Sequence, residues 1–387
     1  MPSFGVDFGP KVDLTATIRG ILRNYPEGTA VLKELVQNAD DAGAHTVSFC
    51  LDTRHHPPLP HSLTHSHTHS HTHSHKLPCD ELVAFQGPAL LVYNDATFTR
   101  TDFESIQRIG DSLKKAEETQ SKIGRFGIGF NSVYHMTDLP SFVSTQYIVM
   151  LDPQARFLPD VNPSNPGKMI DFLANPEVVQ QYSEQFAPYE VYGVDWTKSF
   201  DGTLFRLPLR TSEQAETSQL SRRALSAEEI KDLLLALQLE ASAMLLFLKN
   251  IERIEIKLLS STSEKEGSLV YSCSIDDMTA ELRAQRSFVA GSLKLVHENR
   301  ATGKATPEQT LTPKTADYTL RIRCIDMHPT QGAAGIESCY IETWDVCNQL
   351  GGGSSTQIAR DPANSLLRLV PWGGVAALVS TTRVVVA

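Results

Sequence analysis

The sequence predicts an α+β fold, a two-layer α/β sandwich in which helices cover one face of a mixed, mainly antiparallel sheet. A partial second α/β domain follows. Three observations carry this prediction. Helical periodicities alternate with short strand-like runs through residues 1–212, one long capped helix occupies much of residues 213–250, and alternating strand patterns recur through 251–387.

In the first helix, Leu14, Ile18, Ile21 and Leu22 recur at helical spacing from Asp13, and Pro26 stops the pattern. The second helix, about Thr29 to Ala42, ends at Gly43. HTVSFCL then alternates as a strand, with Val47, Phe49 and Leu51 on one side. ALLVYND resumes as a second strand at Ala89.

Between these strands lies a low-complexity insert, residues 54–78, with nine histidines between His55 and His75. It cannot form a core. As an extended loop it costs little, because closure entropy grows slowly with length. Its alternating imidazoles are read as low-complexity expansion that captures metal adventitiously, without the supporting hydrogen bonds of an evolved site.

TDFESIQRIG reads as a short helix, and GRFGIGF opens a further apolar-periodic helix running to about His135. PSFVSTQYIVML predicts paired strands, and DGTLFRLPLR another. The helix from Leu225 to Asn250 is the clearest: Ser226 and Glu229 form a capping box ahead of a stripe that includes Ile230, Leu234, Leu237, Ala241 and Leu245. IERIEIKLL, SLVYSCSI and YTLRIRCI alternate like strands.

Composition narrows the function. With 387 residues, 41% of them hydrophobic, the chain can bury two cores. A formal net charge of −10 without a dense basic run argues against a nucleic-acid binder. No apolar run reaches membrane-spanning length and no signal peptide is evident, which predicts a cytoplasmic protein with no membrane partner. The six cysteines form no C-x-x-C pair and are read as reduced thiols.

The chemistry gathers on the second helix. Leu32, Leu35, Val36 and Ala39 form its apolar face, while Glu34, Asn38 and Asp41 share the opposite side at i, i+4 and i+7. A carboxylate can orient and deprotonate water, and an amide oxygen can complete a magnesium shell. Asp95, just past the second strand, can accept a hydrogen bond from an exocyclic amine such as that of adenine. Gly124, Gly127 and Gly129 form a G-x-x-G-x-G segment whose bare backbone lets amides approach phosphate. Its spacing is neither the dinucleotide fingerprint nor a P-loop.

The ordered set ELVQNADDAGA, NDATFT, GRFGIGFNSVYH and DGTLFRLPLR resembles the Bergerat ATP-binding fold of the gyrase, heat-shock-chaperone, histidine-kinase and MutL superfamily. Within that superfamily, VDLTATIRGILRNYPEGTAVLKELVQNADDAGA, FQGPALLVYNDATFT, SEQFAPYEVYG, LLFLKNIERIEI and VPWGGVAALVS resemble the sacsin family. The resemblance implies ATP and Mg2+ as ligands and slow hydrolysis in a chaperone module, with client or chaperone proteins as partners. It implies Glu34 as general base, Asn38 as the magnesium-linked ligand and Asp95 as adenine acceptor. Gly124, Phe126, Gly127, Ile128 and Gly129 would supply the phosphate-side backbone, and Thr203 would support adenine through a water. Residues 109–123 would form a lid, with Lys114 or Lys115 reaching a phosphate. One departure stands out: Asp95 is followed by Ala96-Thr97-Phe98-Thr99 and not by the superfamily's x-Gly-x-Gly. That departure keeps open a second reading, a nucleotide-sensing scaffold that binds protein partners without useful hydrolysis.

Overall fold

A computed structural model describes residues 13–56, 76–107, 129–261, 264–301, 314–328, 336–352, 354, 356–357 and 372–384. The chain opens with α1 (Leu14–Asn24), capped where Asp13 Oδ1 accepts from the Ala16 amide at 3.0 Å. Next is α2 (Thr29–Asp41), entered through Gly28 at a φ of 86°, a conformation that suits a residue without Cβ. The predicted apolar face of α2 is buried as a whole.

β1 (Thr46–Asp52) and β2 (Ala89–Asn94) pair antiparallel and flank the histidine-rich insert, of which residues 57–75 lie outside the described residues. After α3 (Arg100–Ile106) come β3 (Ser141–Thr145), β4 (Tyr147–Leu151) and β5 (Gly167–Asp171). Short helices α4 (Pro176–Gln181) and α5 (Ser183–Phe186) lead to β6 (Phe200–Pro208). A connector carrying α6 (Ser212–Thr217) then enters α7 (Ala227–Leu245), whose Ser226–Glu229 capping box forms in both directions as predicted.

The remaining elements are β7 (Arg253–Leu259), β8 (Ser268–Ile275), α8 (Ala280–Ala301), β9 (Lys314–His328), β10 (Ile336–Leu350) and β11 (Trp372–Val384). All eleven strands form one open sheet in the order β11-β10-β9-β8-β7-β1-β2-β6-β3-β4-β5. Among the described pairings only β1 with β7 is parallel, so the sheet is mixed and mainly antiparallel. The strands of region 251–387 thus continue the sheet begun within 1–212.

One face of the sheet packs under α1, α2 and α7 through Ile18, Leu32, Val36, Phe49, Val92 and Leu237. The opposite face is not bare: Leu91, Val143, Ile148 and Leu204 are covered by Phe172, Phe186, Tyr189 and Val194 from the excursion between β5 and β6.

Two predicted elements change. Residues 129–135, expected to continue an α-helix, form 3₁₀ turns instead. The carbonyls of Tyr134 and His135 are taken by the Arg210 guanidinium at 2.7 and 3.0 Å, so those acceptors serve a tertiary contact. Helix α8 was not anticipated, because its charge-rich sequence shows no wide apolar stripe and carries a central glycine, Gly291. Among the described residues no helix is long and apolar enough to cross a membrane.

The turn from α7 into β7 is fixed by one side chain. Asp40 is buried on α2, and its carboxylate accepts from the amides of Lys249, Asn250 and Ile251 at 3.2, 2.7 and 3.0 Å. An unmatched buried amide costs roughly 1–3 kcal/mol, so Asp40→Ala is expected to lower unfolding stability by about 2–5 kcal/mol. Loss of the exposed Ser226 cap by Ser226→Ala should cost only about 1 kcal/mol. Urea titration of both variants checks the ranking, and equal midpoints would show that the junction does not depend on Asp40.

Candidate functional site

Because α2 buries Leu32, Leu35 and Val36, the helix period leaves Glu34, Asn38 and Asp41 half-buried on its other side, as predicted. Glu34 faces the 3₁₀ turn that begins at Gly129. A Cβ built on Gly129 would lie 2.2 Å from Glu34 Oε2, so any other residue here would have to push the carboxylate from its place. Burial holds the Glu34 carboxyl above the ordinary glutamate range. Burial, and then the charge of Glu34, push the Tyr25 phenol up in turn.

The three carboxylates of α2 serve different ends. Asp40 holds the α7–β7 junction, whereas Asp41 pairs with the Lys249 ammonium. Of the predicted polar face, Glu34 therefore sits against the glycine turn, Asn38 lies one helical turn further along α2, and Asp41 is tied to the end of α7.

Asp95 lies at the far end of β2, and its Oδ1 accepts from the amides of His45 and Thr46 at 2.7 and 3.0 Å. It thereby caps the entry to β1 just after the C-terminus of α2. The loop that departs from the glycine pattern has its own ties. Thr203 Oγ1 donates to the Ala96 carbonyl at 2.7 Å, and the Phe98 amide donates to Ser144 Oγ at 3.0 Å. The two hydroxyls are 3.0 Å apart, and Phe98 stacks into an aromatic group with Phe142 at 4.6 Å and Phe103 at 5.2 Å. Thr203 is thus joined to the loop after Asp95, here by a direct hydrogen bond.

Gly124, Phe126, Gly127 and Ile128, with the proposed lid at 109–123 and its Lys114 and Lys115, lie outside the described residues. Sequence reasoning missed Ser144, Tyr25 and above all Arg210. The last had a signal: Arg206 and Arg210 stand four apart, on one side of an otherwise apolar strand sequence, and both are fully buried.

A helix-borne carboxylate set against a glycine turn, with an amide one helical turn along, on the helical layer of a largely antiparallel sheet, defines an α+β candidate site. Comparison with known proteins gives the family: the model of the Sacsin domain matches residues 11–271, a range that holds α2, Asp95, the glycine turn and Thr203. Human sacsin (Homo sapiens) is 32% identical over 385 residues, which covers 98% of this chain. The chain belongs to the sacsin family. It spans 8% of the length of that relative.

Two outcomes follow from the Glu34–Gly129 contact. Gly129→Ala should destabilise the protein by about 1–3 kcal/mol, as overpacking does, and Glu34→Ala in the same chain should recover part of that loss; simple additivity in denaturant titration would refute the contact. The second concerns pH. A carboxyl whose folded pKa is raised binds its proton more tightly folded than unfolded, so its charge opposes folding above the ordinary glutamate pKa. Glu34→Gln should therefore raise the melting temperature at pH 7, and the difference should vanish as pH falls toward 4, a point near the ordinary value.

Proposed function

We propose that this chain binds Mg-ATP between α2 and the glycine segment ending at Gly129 and hydrolyses it slowly, as the nucleotide module of a sacsin-like chaperone system. The observation that carries the reading is the half-buried Glu34 carboxylate set close against the backbone at Gly129, in the space a side chain there would take. Such a carboxylate is a general base with its proton affinity tuned upward by burial.

The residues fit a phosphate group beside Glu34. The glycine at 129 puts no side chain between its backbone and Glu34, and Asn38 stands one helical turn from Glu34 on the same face. Magnesium, when bound with ATP, neutralises phosphate charge, and Asn38 would offer it an amide oxygen. Glu34 orients the attacking water and receives its proton, while Gly124, Phe126, Gly127, Ile128 and Gly129 supply backbone to the phosphates. Asp95 and Thr203 take the adenine end. Positioning does most of the catalysis in such a site. Family membership supports client or chaperone proteins as partners in a cytoplasmic setting.

A second reading has one observation in its favour. Asp95 Oδ1 is already engaged by two backbone amides, and Phe98 is packed among aromatic rings where the superfamily pattern has glycine nearby. A scaffold that senses nucleotide through protein contacts, without useful turnover, fits that arrangement.

The test is calorimetric titration of Mg-ATP into the full chain, alongside Glu34→Ala and Asp95→Asn. One-site binding, lost in Asp95→Asn and kept in Glu34→Ala, is expected. Phosphate release should fall about 10²–10⁴-fold in Glu34→Ala, the usual contribution of a general base. It should rise with pH through the elevated titration of Glu34. Binding with equal residual turnover in parent and Glu34→Ala would favour the scaffold, and no binding by folded protein would reject both nucleotide readings.

A further inference from the structure

The turn from Gly129 to Asp138 is gripped from below by a single guanidinium. Arg210, at the end of the β6 segment, has no exposed surface. Its Nε and Nη2 donate to Asp138 Oδ1 at 2.9 and 2.8 Å, and Nη2 also donates to the carbonyls of Tyr134 and Thr137 at 2.7 and 3.1 Å. Nη1 donates to the His135 carbonyl at 3.0 Å and to the Arg223 carbonyl at 3.2 Å. The Arg210 amide completes the grip on the Met136 carbonyl at 2.9 Å. A planar, always charged fork is the group suited to hold so many acceptors in a water-free place.

Two of these ties point away from the turn. Arg223 belongs to the connector between β6 and α7, and the Leu225 amide donates to the Arg210 carbonyl at 2.9 Å. Ser218 Oγ, in the same connector, donates to Asp138 Oδ1 at 2.9 Å, and it accepts from the Leu220 and Ser221 amides at 3.1 and 3.3 Å. On the other side the His135 ring meets the Tyr25 carbonyl at 3.1 Å, which ties the turn to the end of α1. Hydrogen bonds therefore join residues 134–138 of this turn to the segment that launches α7, and Glu34 meets the start of the same turn by its close approach to Gly129.

We propose that Arg210 is a positioning residue: with Asp138 and Ser218 it sets the place of Gly129 against Glu34 and couples that site to the connector 211–226. Any change that moves the turn alters the connector, and any loosening of the connector alters the environment of Glu34. The site class rests on the Mg-ATP reading, but the coupling itself concerns residues of this chain alone.

The experiment is reciprocal and needs no nucleotide. Ser218→Ala removes one hydroxyl and leaves Arg210 in place; it should shift the Glu34 carboxyl titration, followed by carbon chemical shift, by at least about 0.3 pH. Gly129→Ala should speed hydrogen exchange of the Leu225 amide at least about tenfold, while the Cys273 amide in β8 changes less than about twofold. Arg210→Lys, which keeps the charge and loses the fork, should do both. If Arg210→Lys does not fold, the first two variants still decide the matter. An unmoved Glu34 titration in Ser218→Ala, or equal acceleration of Leu225 and Cys273 in Gly129→Ala, overturns the coupling. Mg-ATP titrated into the same proteins then addresses the nucleotide reading by itself: failure to bind rejects that reading while a shifted Glu34 titration still upholds the coupling.

Discussion

The union of the two halves of this sheet depends on the buried carboxylate of Asp40. It ends α2 by gathering three consecutive amides from the junction of α7 and β7. That junction sets where β7 enters, and β7 runs parallel to β1 with Thr46 opposite Arg253 and Asp52 opposite Leu259. A parallel neighbour needs a long crossover, and here the crossover contains every element from β2 to α7. The helix that bears Glu34 is thus pinned by its last turn to the point where the second half of the chain joins the first.

Buried charges in this fold are held by polar partners. Asp52 shows the pattern: burial alone would raise its pKa, but the neighbouring His56 ring and the hydrogen bonds and charge of Arg54 outweigh that and hold it at about 2. Arg206 lies fully buried over Tyr189 and donates to the Phe85 and Gly87 carbonyls. Beside these ions Glu34 is half-buried and raised in pKa by desolvation. An ionisable group left in that condition belongs to a site more often than to a scaffold.

Much of this was legible in the sequence, for identifiable reasons. Helix α2 showed itself because its apolar residues fall at strict helical spacing, and the same spacing placed Glu34 and Asn38 together on the other face. The capping box of α7 is a local device, so local sequence revealed it. The roles of Asp40 and Asp41 were not separable, because adjacent carboxylates differ only in which tertiary partners they meet. The 3₁₀ turn at 129–135 was misread as α-helix, since the carbonyl acceptors it gives to Arg210 come from 75 and 76 residues away in the chain. The cover over the second face of the sheet, from Phe172 to Val194, has no periodic signature and could be found only in three dimensions.

The borders of the histidine-rich stretch are latched to the body of the fold. On one side Arg54 is buried on Asp52 and the His56 amide donates to the Gln86 carbonyl at 2.7 Å; on the other, the Lys76 amide donates to Glu184 at 2.8 Å. With both ends secured in this way, the length of chain between them weighs little on folding, since closure entropy grows only as the logarithm of the number of residues closed. The tract can lengthen or shorten over generations without a stability threshold to stop it, so copy-number drift is the expected history of this stretch, and the same slot is a ready place for an inserted reporter.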